Sequence, residues 1–375
     1  MRVCHIICAF RRYDTRIFWK QCRALARNGF DVVLITNDEL CEEIKEGIRI
    51  IPSGFRHTSR IKRIIFSRKF NLHKALEINA DIYQIHDPEF IPLALKLKKR
   101  KKCIVYDSHE DFPRQILEKD WIPRFLRRII SSIIQIYFKF NLKKFDAIFT
   151  VTPHIAARLS TTSDRVKVVT NYPVVENNFT PFTEEEYSTR GKRILYSGTI
   201  YRSSLQENIL KALSDLNAVE YILVGSIDKR YESDLTQLDF FGKVNFIEYV
   251  PREELFEIYR QASVGIAVFD YSPNLGYKTG SLGVNKIFEY MYFGLPVICT
   301  DFLLWKAFID KYNCGICVNP HNIHEIRQAI IYLSNNVHEA FLMGQNGRNA
   351  IINEYNWGTQ EKIYLDTFSS LMKSV

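Results

Sequence analysis

Residues 280–300 read GSLGVNKIFEYMYFGLPVICT. A glycine-bearing loop runs into a helix that begins near Asn285, and a Gly294-Leu295-Pro296 turn leads into an apolar strand. Loop, helix, turn and buried strand in that order are one unit of a helix-covered parallel sheet. The N-terminus of such a helix offers unpaired backbone N–H groups and the positive end of its dipole, which suits a phosphate. Lys286 falls in the first turn, where a cation opposes the dipole unless an anion is bound there. Glu289 lies one turn further along the same face, placed to accept hydrogen bonds from sugar hydroxyls. The plainer alternatives are a solvated helix residue for Glu289 and core packing for the aromatics between Phe288 and Phe293.

The same alternation extends in both directions. In the first half, strands are expected at 3–8, 31–35, 81–85, 102–106, 147–151 and 166–169, rich in Val and Ile and bounded by polar residues. Helices are expected at 16–28, 90–99 and 124–144. Residues 172–192 break the pattern with Pro173, Pro181 and the acidic triplet Glu184, Glu185 and Glu186. The alternation restarts with strands at 193–197, 221–224, 244–247, 264–268, 296–299 and 315–318. Helices are expected at 205–216, 253–262, 286–293, 323–333 and 338–354, and a last one at 359–372. The expected organisation is a first domain over 1–175, a linker over 176–192 and a second domain over 193–356, with the C-terminal segment 357–375 packing back on the first. Two Rossmann-like domains then carry parallel sheets facing across a cleft, where ligands of open α/β sheets bind. The first strand is followed by Ala9-Phe10-Arg11-Arg12-Tyr13, without the G-x-G-x-x-G fingerprint, and no Walker A sequence occurs. Both facts argue against a dinucleotide enzyme and a P-loop ATPase.

A length of 375 residues suits two domains, and the 46% hydrophobic and 25% charged fractions suit packed cores. The net charge of +9 is uneven: residues 1–180 hold 33 Lys and Arg against 19 Asp and Glu, residues 181–375 hold 18 against 23. Three acid-free stretches carry much of the excess. Residues 52–76 hold Arg56, Arg60, Lys62, Arg63, Arg68, Lys69 and Lys74; residues 96–102 hold six cations; residues 121–145 place Arg124, Arg127, Arg128, Lys139, Lys143 and Lys144 around an apolar run. The last stretch has the pattern of an interfacial helix on an anionic membrane surface; a solvated face with one core helix is the plain alternative. No helix-turn-helix, zinc-finger or RNA-binding signature appears, so no nucleic acid partner is expected. Eight scattered cysteines give no disulfide framework and fit a reducing cytoplasm. Cys314 and Cys317 have a C-x-x-C spacing but no second pair, and read best as a buried strand end. Met1-Arg2 leads straight into the first strand without a signal-peptide pattern, and no apolar run is long enough to span a bilayer.

The run Asn285-Lys286-Ile287-Phe288-Glu289-Tyr290-Met291 with Gly294, Pro296, Val297 and Ile298 resembles the donor-binding segment of retaining family four (group 1) glycosyltransferases of the GT-B fold. Other stretches resemble the same family in order: 195–200, 246–260 and 344–357, and in the first half Asp14-Thr15-Arg16-Ile17, His86-Asp87-Pro88-Glu89 and Asp107-Ser108-His109-Glu110-Asp111. The last three match polysaccharide-building members. The resemblance implies a nucleotide-sugar donor, UDP-linked for preference, a saccharide or lipid-linked saccharide acceptor, retention, and no metal or other cofactor. It implies that Glu289 holds the ribose, Arg202 and Lys286 the diphosphate, Val250 the base through its backbone, and that the catalytic His109 lies near the transferred sugar. Gly198 and Gly283 fall in the donor loops. Asp14, Arg16 and Glu110 are acceptor-side candidates, although Asp14 and Arg16 read equally well as a helix-start cap and pair, and His109 with its acidic neighbours reads also as a structural hydrogen-bonded cluster or half a metal site. The sequence departs from the family twice. Ser281 stands where a second, sugar-contacting Glu is usual, in a loop expected to be open to water. Ser203 and Ser204 follow Arg202 where a second basic residue is usual. A GT-B sugar-nucleotide epimerase and a catalytically weak nucleotide-sugar-binding homologue remain the alternatives. The expected location is the cytoplasmic face of a membrane, peripherally bound.

Overall fold

The computed structural model describes the chain except residues 56–59, 120–121, 177–179, 239, 274 and 374–375, and the side chains of 60–65. Of the basic run 52–76, therefore, Arg56 and the side chains of Arg60, Lys62 and Arg63 lie outside the described residues, as do Trp121 and part of the expected linker. The chain divides into two compact units, Met1–Asn171 with Trp357–Val375, and Tyr172–Asn356.

The first unit is built on eight strands: β1 (Arg2–Ile6), β2 (Asp31–Thr36), β3 (Glu43–Lys45), β4 (Ile48–Pro52), β5 (Ile82–Ile85), β6 (Cys103–Ser108), β7 (Ala147–Thr150) and β8 (Val166–Val168). Their order is β3-β4-β2-β1-β5-β6-β7-β8, parallel except for the β3–β4 pair. β3 and β4 are absent from the sequence expectation. Their signal is the short Glu46-Gly47 turn, where both residues take positive φ (53° and 75°), the backbone twist that a tight hairpin demands. The helix expected at 16–28 is wound in two ways: Ile17–Cys22 is a π-helix and Arg23–Arg27 is α-helical. The amide N–H groups of Trp19 and Gln21 reach back five residues to Asp14 and Arg16. This wider turn carries both Lys20 and Gln21 inward, where a regular helix with one apolar stripe would not. The final helix Trp357–Met372 belongs to this unit. Its Tyr364 hydroxyl donates to Gln84 Oε1 at 2.8 Å and its Phe368 packs against Phe149.

The second unit has six parallel strands: β9 (Arg193–Ser197), β10 (Glu220–Val224), β11 (Val244–Ile247), β12 (Val264–Ala267), β13 (Val297–Thr300) and β14 (Gly315–Val318). The order β11-β10-β9-β12-β13-β14 is that of a doubly wound nucleotide-binding sheet. Val, Ile, Leu and Tyr side chains fill it from both faces, with Tyr196, Tyr259, Tyr290 and Trp305 almost fully buried. The linker expected over 176–192 is corrected in its second half. Glu184–Ser188 is a helix closed by a Thr183–Glu186 capping box, and Tyr187 is buried in the second core with its hydroxyl donating to the Ser263 carbonyl at 2.6 Å. The acidic triplet of the expected linker is the negative first turn that a helix dipole favours.

Candidate active site

In each sheet the strand order reverses direction beside its first strand, and open α/β sheets bind ligands in the crevice at that point. In the second unit the reversal falls between β9 and β12. The loop after β9 carries Gly198 and the turn Arg202–Ser204; the loop after β12 leads to the helix Asn285–Tyr292. Val284 at the N-cap makes no side-chain cap, and an uncapped first turn of this kind suits an anion. Lys286 passes beneath Gly198. Gly198 has φ of 118°, and a side-chain carbon there would lie 2.7 Å from Lys286 Nζ. The ammonium lies over the Tyr196 ring (5.1 Å) and the Phe269 ring (5.5 Å), and among the described residues it has neither a hydrogen bond nor an ion pair. Burial pushes its pKa down to about 8, with Glu289 pulling weakly the other way. Glu289 is held from behind: the Tyr259 hydroxyl donates to its Oε2 at 2.9 Å, and Ser197 Oγ lies 2.7 Å from that hydroxyl.

The other donor-side residues fall less simply. Val250 lies in the loop between β11 and the helix Arg252–Gln261. Arg202 is exposed and pairs with Asp234, its guanidinium 5.4 Å from the Tyr231 ring. An exposed pair of this kind is worth about 0–1 kcal/mol, so an incoming anion displaces it at little cost. Ser281 is not in an open loop; the residue is 9% exposed. Its Oγ accepts from the Gly283 N–H at 3.2 Å and its carbonyl accepts from the Trp305 indole at 2.7 Å. The loop is pinned by an indole twenty-four residues downstream in the chain, which no local pattern reveals. Cys317 faces Cys299 across the β13–β14 ladder, sulfur to sulfur 3.7 Å, while Cys314 is buried apart. The C-x-x-C spacing thus reports a strand end.

In the first unit the reversal falls between β1 and β5, and the Asp14, His86 and His109 motifs all sit on loops at the carboxyl ends of β1, β5 and β6. Asp14 accepts from the N–H groups of Arg16 and Ile17 at 2.8 and 2.9 Å, a cap for the π-helix. Arg16 is 2% exposed. It donates twice to Asp107, at 2.9 and 2.7 Å, and once to the Val169 carbonyl at 2.7 Å. Between the two roles left open for these residues, the structural one accounts for all of these contacts. Gln21 adds a third bond to Asp107 at 2.7 Å. Burial alone would raise the Asp107 carboxyl, but Arg16, His109 and His86 together outweigh it and hold it well below the usual range.

His109 lies at the edge of this network. Its Nε2 is 3.2 Å from Asp107 Oδ2 and 3.1 Å from His86 Nδ1, and Phe10 packs on its ring at 4.4 Å. His86 Nε2 in turn meets His5 Nδ1 at 3.0 Å. Burial pushes His86 down to about 4 and His5 well below its ordinary value, so both are neutral imidazoles. Asp87 holds the loop after β1 by accepting from the N–H groups of Cys8 and Ala9 at 2.6 and 3.1 Å, and burial pushes its carboxyl up to about 7. The sequence joins Asp107 to His109 only as a structural cluster or half a metal site, and it gives His5, His86 and Asp87 no role beyond the family motif at His86–Glu89. Their signal was polar residues inside or at the end of strand patterns, where a core residue is usual. His86 Nδ1, Asp107 Oδ2 and His109 Nε2 are the one set with metal-ligand spacing among the described residues. Asp107 Oδ2 already accepts from Arg16 Nε and Gln21 Nε2, so a dication there would compete with a guanidinium for the same oxygen. Glu110 is exposed overall, yet the protein crowded round its carboxyl pushes it up.

Comparison with known proteins places the chain in a family. The glycosyl transferases group 1 model matches residues 181–350 and the glycosyltransferase family 4 model matches residues 15–172. The chain belongs to the group 1 glycosyltransferases, with the GT-B class of fold. A curated relative, an uncharacterized glycosyltransferase of Methanocaldococcus jannaschii, is 26% identical over 198 residues; the match spans 48% of this chain and 45% of that protein. Among solved structures, the sucrose-phosphate synthase of Thermosynechococcus elongatus matches with a TM-score of 0.77 at 15% identity over 100% of both chains. HepE of Anabaena, solved with UDP and glucose, matches with a TM-score of 0.71 at 11% identity over 99% of this chain and 100% of that one. TarM of S. aureus, solved with UDP and α-GlcNAc-glycerol, matches with a TM-score of 0.62 at 15% identity over 80% of this chain and 59% of that one.

Proposed function

We propose that the protein transfers a sugar from a nucleotide sugar, UDP-linked for preference, to a saccharide or lipid-linked saccharide acceptor, with retention and without a metal. The observation that carries this reading is the Lys286 ammonium, without a hydrogen bond or ion pair among the described residues, at the uncapped start of the helix Asn285–Tyr292, with Glu289 one turn on. A bound diphosphate supplies the counter-charge that Lys286 lacks. As the glycosidic bond breaks, the leaving diphosphate gains charge, and the ammonium and helix N–H groups stabilise it without reorganising. Arg202 exchanges Asp234 for the same anion. Glu289, held by Tyr259, accepts from the ribose hydroxyls. His109 is the group offered to the reacting sugar, with its ring direction set by Asp107 and His86. HepE and TarM, solved with UDP, support this choice of donor base.

The test is turnover of UDP-sugars by the whole chain with and without acceptor glycans, in EDTA. Transfer that persists in EDTA supports the reading. Loss of transfer that magnesium or manganese restores overturns its metal-free part, and epimerised sugar in place of transfer overturns the reaction class.

The helix Arg124–Asn141 favours a second partner. Phe125, Ile129, Ile133, Ile136 and Phe140 are all exposed, Phe125 at 74%, and their spacing puts them on one stripe. Arg124, Arg128, Lys139, Lys143 and Lys144 flank it. Among the described residues no helix is long and apolar enough to cross a membrane. An anionic lipid surface accounts for both the stripe and the cations, and sets the enzyme at the cytoplasmic face. Co-sedimentation with anionic vesicles should fall with added salt; equal binding to neutral vesicles would remove the electrostatic part.

A further inference from the structure

Beside that helix, and within the first unit, a cavity of about 180 Å³ opens between the segments Phe112–Gln115, Arg124–Asn141 and Pro153–Ser160. Its polar lining mixes every kind of group: the Glu110 carboxylate, the Ser108 and Thr162 hydroxyls, the Gln135 amide, and the Lys139 and Arg158 cations. Phe112 and Phe138, parallel to within 12°, form an aromatic wall. Sites for drug-sized ligands run to about 300–1,000 Å³, so a space of about 180 Å³ suits a smaller occupant.

The lining narrows the chemistry. A bare anion is disfavoured because Asp111 already pairs with Arg158 and Glu110 adds a second carboxylate. A purely apolar ligand would cover the Glu110 carboxylate, the Gln135 amide and the Lys139 ammonium without offering them a partner. A sugar ring fits both demands: each hydroxyl donates and accepts, and its C–H face packs on Phe. The pocket's position narrows the carrier. Gln135, Phe138 and Lys139 line the pocket from the same helix that carries the exposed stripe, about a third of a turn round from it at ~100° per residue. A helix lying in an interface buries its apolar face about 5–10 Å deep, which leaves the adjacent face at the level of lipid headgroups.

We propose that this pocket is an acceptor subsite that takes one sugar residue of an amphiphilic glycan whose apolar tail lies along the stripe. The proposal rests on the transferase reading above and names its acceptor class. Glu110 is then an acceptor contact, one residue from His109, while Asp14 and Arg16 are framework.

The experiment uses the whole chain and defined amphiphiles below their micelle-forming concentrations: n-octyl β-glucoside, n-octyl β-galactoside, n-octyl N-acetylglucosaminide, and an octyl tetraethylene glycol ether with the same tail and no sugar. Binding is read by saturation-transfer NMR, and UDP affinity by calorimetry. At least one glycoside should bind at least tenfold tighter than the ether, with saturation on its ring protons. Thr162→Trp, which fills the pocket, and Gln135→Leu, a change at an exposed helix position, should each weaken that glycoside at least tenfold while leaving the ether and UDP unchanged. Glycosides that bind no better than the ether, or that ignore both substitutions, overturn the proposal. Absence of UDP binding by the wild-type chain would instead overturn the donor reading, which the glycoside arm does not use.

Discussion

Asp107 and Lys286 stand at the centres of the two sites and are treated in opposite ways. Asp107 is fully enclosed and receives Arg16 twice and Gln21 once. Among the described residues Lys286 has two aromatic rings and no ion pair. A buried charge with its partners in place is rigid and fixes what is attached to it, here the His109 ring. A cation without a partner holds a cost that only an arriving anion relieves. The first arrangement positions a group; the second is suited to binding one, as proposed for the donor diphosphate. The network of the first unit is therefore expected to govern folding, and the bare ammonium of the second to govern affinity.

The largest effect that would break this contrast is at Asp107. Asp107→Asn leaves Arg16 buried without its counter-ion, which typically costs about 3–5 kcal/mol. Urea denaturation should show that loss, and the double replacement Arg16→Met with Asp107→Leu should recover much of it. If Asp107→Asn is as stable as wild type, the network does not carry the fold of the first unit. Lys286→Met should do the reverse. Stability holds or rises, because an uncompensated cation is gone, while calorimetric affinity for UDP falls roughly ten- to a hundredfold, the worth of about 1.5–3 kcal/mol for bonds to a charged group.

Glu289→Gln sharpens the same point with size conserved. The Tyr259 contact survives, the charge does not, and UDP affinity should again fall roughly ten- to a hundredfold with the circular dichroism spectrum unchanged. A folded Glu289→Gln chain with wild-type UDP binding would move the donor elsewhere.

The pH dependence follows from the Lys286 pKa of about 8. A bound diphosphate favours the ammonium and raises that value, so binding takes up a proton above pH 8. UDP affinity should be flat below about pH 8 and fall by at most about tenfold per unit above it, and Lys286→Arg should abolish the fall. In the free protein the sign is opposite. The unfolded chain holds the extra proton between about pH 8 and the ordinary lysine value near 10.4, so stability contributed by this group rises with pH there. The smallest effect is expected at Ser281. Ser281→Ala removes one bond to the Gly283 N–H, costing about 1 kcal/mol of stability, and should change UDP affinity less than either neighbour on the helix. A Ser281→Glu chain with altered choice among UDP-sugars and unchanged UDP affinity would place Ser281 against the sugar.

The alternation of Val- and Ile-rich runs with amphipathic segments determined, from the sequence alone, the parallel α/β character of both halves, because both periodicities are local. It determined Lys286 and Glu289 together for the same reason: one turn of one helix holds them. The Glu46-Gly47 hairpin was written locally too, but in a short turn signal between strands too brief to show a period. What only the tertiary structure decided were the partnerships across long sequence separations. Arg16 meets Asp107 over ninety-one residues, Trp305 pins the Ser281 loop, and Tyr364 reaches Gln84 from the far end of the chain. A lone Arg or Ser carries no pattern in the sequence that tells solvent from core. The sheet order that brings the loops after β1, β5 and β6 to one edge supplies the partner, and the low dielectric there turns an ordinary polar residue into a fixed part of the site.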